Sequence, residues 1–240
     1  SLDNDPNTTI IQGAWDPATT NGPAAVRGVY LAANAALIGF TVTGGATLAY
    51  KVREMGSGGG VYGATTAAVL SNCIFTGNQA GYWGGGVYRG RVFDSTFSEN
   101  RAVTSGGGAG ESHLIRCTLV SNTCAENGGA AYVVTASNCT FTGNRARSGA
   151  VSFGGTFYNC LMAGNHASLQ SGALLPGSGV PYTLHNCTIM GNSAWSGGGV
   201  SVDGEKVEDE FKELGPDDFT DGGIMIKKGK KIFHRVKLVE

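Results

Sequence analysis

Between residues 71 and 194 one alternation of apolar and polar positions recurs six times: SNCIFTGNQA (71–80), DSTFSENRA (94–102), RCTLVSNTC (116–124), SNCTFTGNRA (137–146), YNCLMAGNHA (158–167) and HNCTIMGNSA (185–194). In each, a small residue (Cys73, Ser95, Cys117, Cys139, Cys160, Cys187) stands two places before a large apolar one (Phe75, Phe97, Leu119, Phe141, Met162, Ile189). A period of two puts both on one face of a strand, and the residues between them (Ile74, Thr96, Thr118, Thr140, Leu161, Thr188) on the other. The closing asparagines, Asn78, Asn100, Asn122, Asn144, Asn165 and Asn192, are spaced by 22, 22, 22, 21 and 27 residues. An earlier degenerate copy, Gly39 to Gly45, has Gly45 at the asparagine position. A second phrase follows each copy: GGGVY (58–62 and 84–88), GGGAG (106–110), GGAAY (128–132), SGAVS (148–152), SGALL (171–175) and GGGVS (197–201).

A repeat of about 22 residues with two or three short strands and no helix has few solutions. The leucines of a leucine-rich repeat are missing, and a propeller blade needs roughly 40 residues or more. The pattern predicts an all-β chain: a parallel β-helix of about nine coils over residues 1–202, roughly 43 Å long at about 4.8 Å per coil. General crossover chirality makes it right-handed. Equivalent asparagines are expected to tolerate a left-handed turn and to hydrogen-bond from coil to coil. No proline occurs from residue 24 to 175, as expected where nearly every strand N–H is paired.

Composition agrees. Glycine supplies 40 of 240 residues and charged residues 15%. The net charge of −1 speaks against a nucleic-acid partner, and no apolar run is long enough for a membrane span. The opening SLDNDPNTT has neither the basic nor the apolar part of a signal peptide, and starting at Ser1 it reads as a trimmed chain.

The paired phrases F-x-x-N (Phe75–Asn78, Phe97–Asn100, Phe141–Asn144) and G-G-[AGI]-[VI] resemble the repeats of bacterial polymorphic outer-membrane proteins and related right-handed β-helix repeat proteins. The segment VRGVYLAANAALIGFTVTGGAT is similar to the N-terminal coils of secreted members. The resemblance covers about residues 8–202. It implies a right-handed β-helix, a secreted or cell-surface location and, for some members, adhesion.

The chemistry is sparse. Cys73, Cys117, Cys139, Cys160 and Cys187 share one inward position; stacked equivalents are spaced wider than disulfide Cβ atoms, so they read as a ladder of buried thiols, with Cys124 a separate free thiol. No C-x-x-C is present and no histidine joins the ladder, so no metal or cofactor is expected; His113, His166, His185 and His234 read as surface or turn residues. Polysaccharide lyases and hydrolases need clustered carboxylates. Here the acids are scattered, and Asp94 is expected to pair with Arg116 one coil on. No aspartate follows a GGG phrase at the spacing of calcium-binding nonapeptides, and Ser98, Val120, Ala163 and Met190 interrupt the threonine ranks an ice-binding face would want. Trp83 and Trp195 are the candidate binding residues, as an aromatic edge for a glycan or protein. Two longer coils, with insertions at 48–57 and 175–181, are where a rigid rod would carry binding loops.

Residues 203–240 are unlike the rest of the chain and hold 18 of its 35 charges. KVEDEFKELG (206–215) places Val207, Phe211 and Leu214 at helical spacing, and residues 222–239 read as a β-hairpin. The regular Lys/Glu pattern has the look of a grafted or designed cap. The expectation is a non-enzymatic structural or adhesive solenoid, used here as a scaffold: a monomer where the cap works, associating end to end where it does not. The alternative is a carbohydrate-binding or carbohydrate-active β-helix.

Overall fold

The structure, a computed structural model, describes residues 3–49, 53–176 and 181–197, with the backbone of 224–226 and 234–236. Three parallel sheets run the length of the rod. The first has eight strands, one per coil: Ile10–Gln12, Thr41–Thr43, Ile74–Thr76, Thr96–Ser98, Thr118–Val120, Thr140–Thr142, Leu161–Ala163 and Thr188–Met190. The second has six, from Gln79–Ala80 through Arg101–Ala102, Thr123–Cys124, Arg145–Ser148 and His166–Gln170 to Ser193–Ser196. The third is built on the longer strands Val87–Phe93, Ala109–Ile115, Ala131–Ser137 and Ser152–Tyr158. Register follows the repeat, with Phe75 opposite Phe97, Phe97 opposite Leu119, Leu119 opposite Phe141 and Phe141 opposite Met162.

The core is the stack of inward positions. Val42, Phe75, Phe97, Leu119, Phe141 and Met162 are fully buried, joined by Leu70, Val92, Leu114 and Phe157 from the third sheet. Rings continue from coil to coil, with Phe75 and Phe97 centroids 4.9 Å apart. Against the second sheet the core narrows to Ala80, Ala102, Cys124 and Ala146. Each large side chain contributes about 1.5–3 kcal/mol by leaving water, so the apolar rank between the first and third sheets carries most of the stability.

The corners depart from the expected placement of left-handed residues. The ladder asparagines have ordinary backbone; the residues just before them turn left-handed: Gly77, Glu99, Ser121, Gly143, Gly164 and Gly191, with φ from +55° to +63°. The corner ahead of the cysteine rank does the same with Asn72, Asp94, Arg116, Asn138, Asn159 and Asn186, φ from +47° to +55°. The reason is a division of labour: a side chain that must point into the stack needs extended backbone, so the preceding residue, facing solvent, takes the turn. A third corner is glycine by necessity. At Gly106, φ is +69° and a Cβ would lie 2.5 Å from the Ala109 carbonyl oxygen.

Ahead of the repeat, residues 13–28 fold back in antiparallel bridges, Ala14 to Val26 and Asp16 to Thr20. The Asp16 carboxylate organises this turn by accepting the N–H groups of Ala18, Thr19 and Ala24 at 2.9–3.0 Å. Those bonds, Ala24's first, favour the ionised carboxylate and hold its pKa below the usual carboxylate value. The insertion at 48–57 carries a short helix, Arg53–Gly56, which the strand pattern did not foretell. At the other end Ile224–Ile226 pairs antiparallel with His234–Val236 in a separate two-stranded sheet. The helix expected at 206–215 and the GGGVS phrase at 197–201, apart from Gly197, lie outside the described residues.

Candidate functional site

Two side-chain ranks flank the first sheet. The asparagine rank closes a complete hydrogen-bond account. The backbone N–H and Nδ2 of Asn78 both donate to Oδ1 of Asn100, at 3.1 and 3.0 Å, and Nδ2 also donates to the Val42 carbonyl at 2.9 Å. The same three bonds recur from Asn100 to Asn122, Asn122 to Asn144, Asn144 to Asn165 and Asn165 to Asn192. Asn78 through Asn165 are fully buried, so each coil depends on its neighbour to satisfy groups that cannot reach water. Gly45 begins the series by donating its N–H to Asn78 Oδ1 at 3.0 Å.

The thiol rank is looser. Cys73, Cys117, Cys139 and Cys160 are buried, Cys187 is half-buried, and all five are free thiols, as is the buried Cys124. Each sulfur donates to the carbonyl two residues before it, as Cys139 does to Ser137 at 3.3 Å. The Cys117 N–H donates to Cys139 Sγ at 3.4 Å. Ser95 fits the same scheme, taking the Cys73 N–H at 3.0 Å and donating to the Phe93 carbonyl. Hydrogen bonding from Cys139 draws Cys117 below the ordinary thiol value, and the same contact pushes Cys139 up to about 12. Cys160 rises to about 11 beside Cys139, and burial takes Cys124 to about 12. Cys124, Cys139 and Cys160 are therefore protonated, poorly nucleophilic thiols. Among the described residues no group of three or more His, Cys, Asp or Glu is placed to hold a metal ion.

Trp83 belongs to a larger aromatic rank. Tyr30, Tyr62, Tyr88, Gly110, Tyr132 and Phe153 occupy equivalent register positions on the third sheet. Gly110 leaves a gap, and Trp83 fills it from the preceding corner, its ring 5.9 Å from Tyr88 and 4.8 Å from Tyr132. Tyr82 stacks on Trp83 at 4.0 Å and the Arg53 guanidinium lies 5.4 Å from its ring. Glu111 ties this cluster together by pairing with Arg89 at 3.0 Å and Arg53 at 3.4 Å. Burial, and then the neighbouring Glu111, suppress the acidity of the Tyr88 hydroxyl. The tyrosines of the two GGGVY phrases and of GGAAY were the available signal for this rank.

Trp195 stands apart. It is 88% exposed on the last strand of the second sheet, five asparagine steps from the Trp83 coil, or about 24 Å. The two tryptophans therefore do not form one site. The outer face of the second sheet carries Arg101, Arg145, Arg147 and His166, all exposed; His166 Nδ1, on the strand next to that of Trp195, lies 2.9 Å from Ser193 Oγ. Asp94 and Arg116 do meet, in a bidentate pair at 2.7 Å, and Arg116 holds the Asp94 carboxyl below its usual value. His185 stacks on Tyr158 at 4.7 Å. No helix among the described residues is long and apolar enough to cross a membrane.

Comparison with known proteins gives two unequal results. A 42-residue stretch, 18% of this chain, is 52% identical to part of a tyrosine–tRNA ligase of Acetivibrio thermocellus. Stretches of 41 residues are 44% and 42% identical to parts of the tyrosine–tRNA ligases of two Clostridium botulinum strains. Each match covers 10% of the relative, so the chain spans about a tenth of the length of the curated relatives it matches. No solved structure matches the chain. The family model for a right-handed β-helix region, by contrast, matches residues 27–212, more than three quarters of the sequence. With the parallel three-sheet coil and its registered ranks, that match places the chain in the right-handed β-helix family.

Proposed function

We propose that this β-helix is a non-enzymatic structural rod of a secreted or surface-displayed bacterial protein, serving adhesion or presentation rather than turnover. The observation that carries the reading is how Asp16, Glu111 and Asp94 are used. Asp16 is consumed by three backbone N–H groups and Glu111 by two arginines, while the exposed Asp94 is bound by Arg116. An acid–base pair needs two carboxyl groups facing one substrate, and these are each committed elsewhere. The polymorphic outer-membrane-like phrases support the adhesive side of the reading. Purified protein assayed against acidic and neutral polysaccharides should release no unsaturated or reducing ends, while coated beads should adhere to a cell or matrix surface; turnover would overturn the proposal.

The C-terminal region supports a second element of the reading. Its 18 charges in 38 residues, set beside 17 in the preceding 202, fit a segment of separate origin joined to the rod, natural or engineered, and acting as its end cap. The short match to enzymes of about ten times its length accords with a composite chain. Deleting residues 204–240 should lower thermal stability and produce concentration-dependent association. A truncated rod that stays monomeric and equally stable would remove the capping role.

A further inference from the structure

The insertion that breaks the repeat also opens the rod. Described residues of the insertion and of the N-terminal loop border a cleft of about 470 Å³, where Arg27 and Glu54 stand among Ala25, Ala46, Leu48 and Met55. That volume lies within the usual range for small-molecule sites. Arg27 is held rigidly. Its Nε donates to the Gly58 carbonyl at 3.0 Å, and its Nη2 donates to the carbonyls of Ser57, at 3.1 Å, and Glu54. The guanidinium also packs over the Tyr62 ring, 5.0 Å from its centroid. One side of the fork is thus spent on the insertion's backbone, while Nη1 makes no hydrogen bond among the described residues. An arginine fixed in this way is prepared to receive a carboxylate without losing side-chain freedom on binding.

Glu54 supplies the opposite charge. Its carbonyl accepts from Arg27, so its carboxylate lies within one side-chain length of the guanidinium. Yet among the described residues the two side chains form no ion pair, and the Glu54 carboxylate has no hydrogen-bond partner. One cleft therefore holds a cation and an anion that attract each other without direct contact, its lining completed by Ala25, Ala46, Thr47, Leu48 and Met55. A ligand carrying both charges on adjacent atoms satisfies each.

We propose that this cleft binds a free α-amino acid with an apolar side chain. Its carboxylate rests on Arg27, its ammonium on Glu54, and its side chain on Leu48 and Met55. The cleft would serve in this way whether or not the rod is adhesive. An open site with two half-solvated charge contacts should bind weakly, with a Kd on the order of 1 mM.

Calorimetric or NMR titration of the full chain with leucine tests this, using isocaproate (no amine) and isoamylamine (no carboxylate) as partners. Leucine should bind at least tenfold more tightly than either. E54Q should weaken leucine to the level of isocaproate while leaving isocaproate binding unchanged. Because Glu54 is exposed, that variant keeps the fold, which thermal unfolding verifies. R27Q removes the carboxylate contact and should abolish leucine and isocaproate binding together. Absence of saturable leucine binding, equal affinity for isocaproate, or indifference to E54Q would each overturn the proposal.

Discussion

The asparagine and thiol ranks are built from the same repeated phrase, flank the same sheet and are buried to nearly the same degree, yet they hold the rod in different ways. An amide offers two donors and an acceptor with room for two bonds, and the asparagine rank uses all of them between successive coils. A thiol offers one weak donor and one weak acceptor; each sulfur reaches the carbonyl two residues back, and those of Cys73, Cys117, Cys160 and Cys187 also reach a carbonyl of the preceding coil, at a long 3.5–3.6 Å. Both ranks therefore link coils, the first through short amide bonds at 2.8–3.1 Å and the second through longer, weaker sulfur bonds while it fills volume. Ser95 makes the point: a serine replaces cysteine mid-rank without disturbing register, while no asparagine between Asn78 and Asn192 is replaced.

The sharpest way to break the comparison is Asn122→Ala. It orphans the Asn100 N–H, takes one of the two bonds made by Asn100 Nδ2 and removes the amide donor to the Phe97 carbonyl, all in the dry interior. At 1–3 kcal/mol per buried unsatisfied group, the loss should be about 3–5 kcal/mol, seen as a clear fall in the denaturation midpoint. A loss under about 1 kcal/mol would mean water enters the stack and the rank is ornamental.

Second in size is pH, which acts on the thiols and not on the asparagines. Cys124 and Cys139 rise to about 12 and Cys160 to about 11 in the fold, against about 8.5 in an unfolded chain. Above about pH 8.5 the unfolded chain gives up these protons while the folded chain keeps them, so folding stability falls as pH rises from there towards about 12. Below that window the contribution is fully present. Asparagine does not titrate, so stability between about pH 6 and 8 should be flat on account of these groups. A thiol-reactive disulfide reagent at about pH 8 should label the native chain slowly and all six cysteines after denaturation; rapid native labelling of Cys139 would contradict its burial.

Cys139→Ser should cost no more than about 1 kcal/mol, since serine already stands at position 95 with both bonds made. A loss equal to that of Asn122→Ala would erase the distinction between the ranks. Smallest of all is Arg116→Asn. It removes an exposed ion pair worth roughly 0–1 kcal/mol but supplies a residue better suited to φ +53°, as at Asn72 and Asn138. Net change should stay within about 0.5 kcal/mol by thermal melt, and a larger loss would show that Asp94 and Arg116 brace the corner.

Much of this was legible because a solenoid repeats one local decision. Period-two spacing around Phe75, Phe97 and Phe141 sorts inside from outside, and the 22-residue interval sets which residues stack. The left-handed turns were misplaced by one residue because composition marks asparagine as turn-prone without saying whether its side chain must point inward. At Asn72 it faces out and takes the turn; at Asn78 it faces in and leaves the turn to Gly77. Trp83 and Trp195 stand on coils about five steps apart, because distance up the rod, rather than offset from the asparagine, decides whether two rings meet.

Sequence alone determined the fold family, the repeat period, the inward rank and the two ladders, because each depends on residues interacting with copies of themselves at a fixed interval. Only the tertiary structure decided the features where the repeat is broken. Trp83 fills the space above Gly110, Arg53 reaches Glu111, and Arg27 clasps Ser57 and Gly58 to shape the cleft. Those contacts join unlike residues across irregular separations, and no periodicity encodes a meeting that happens once.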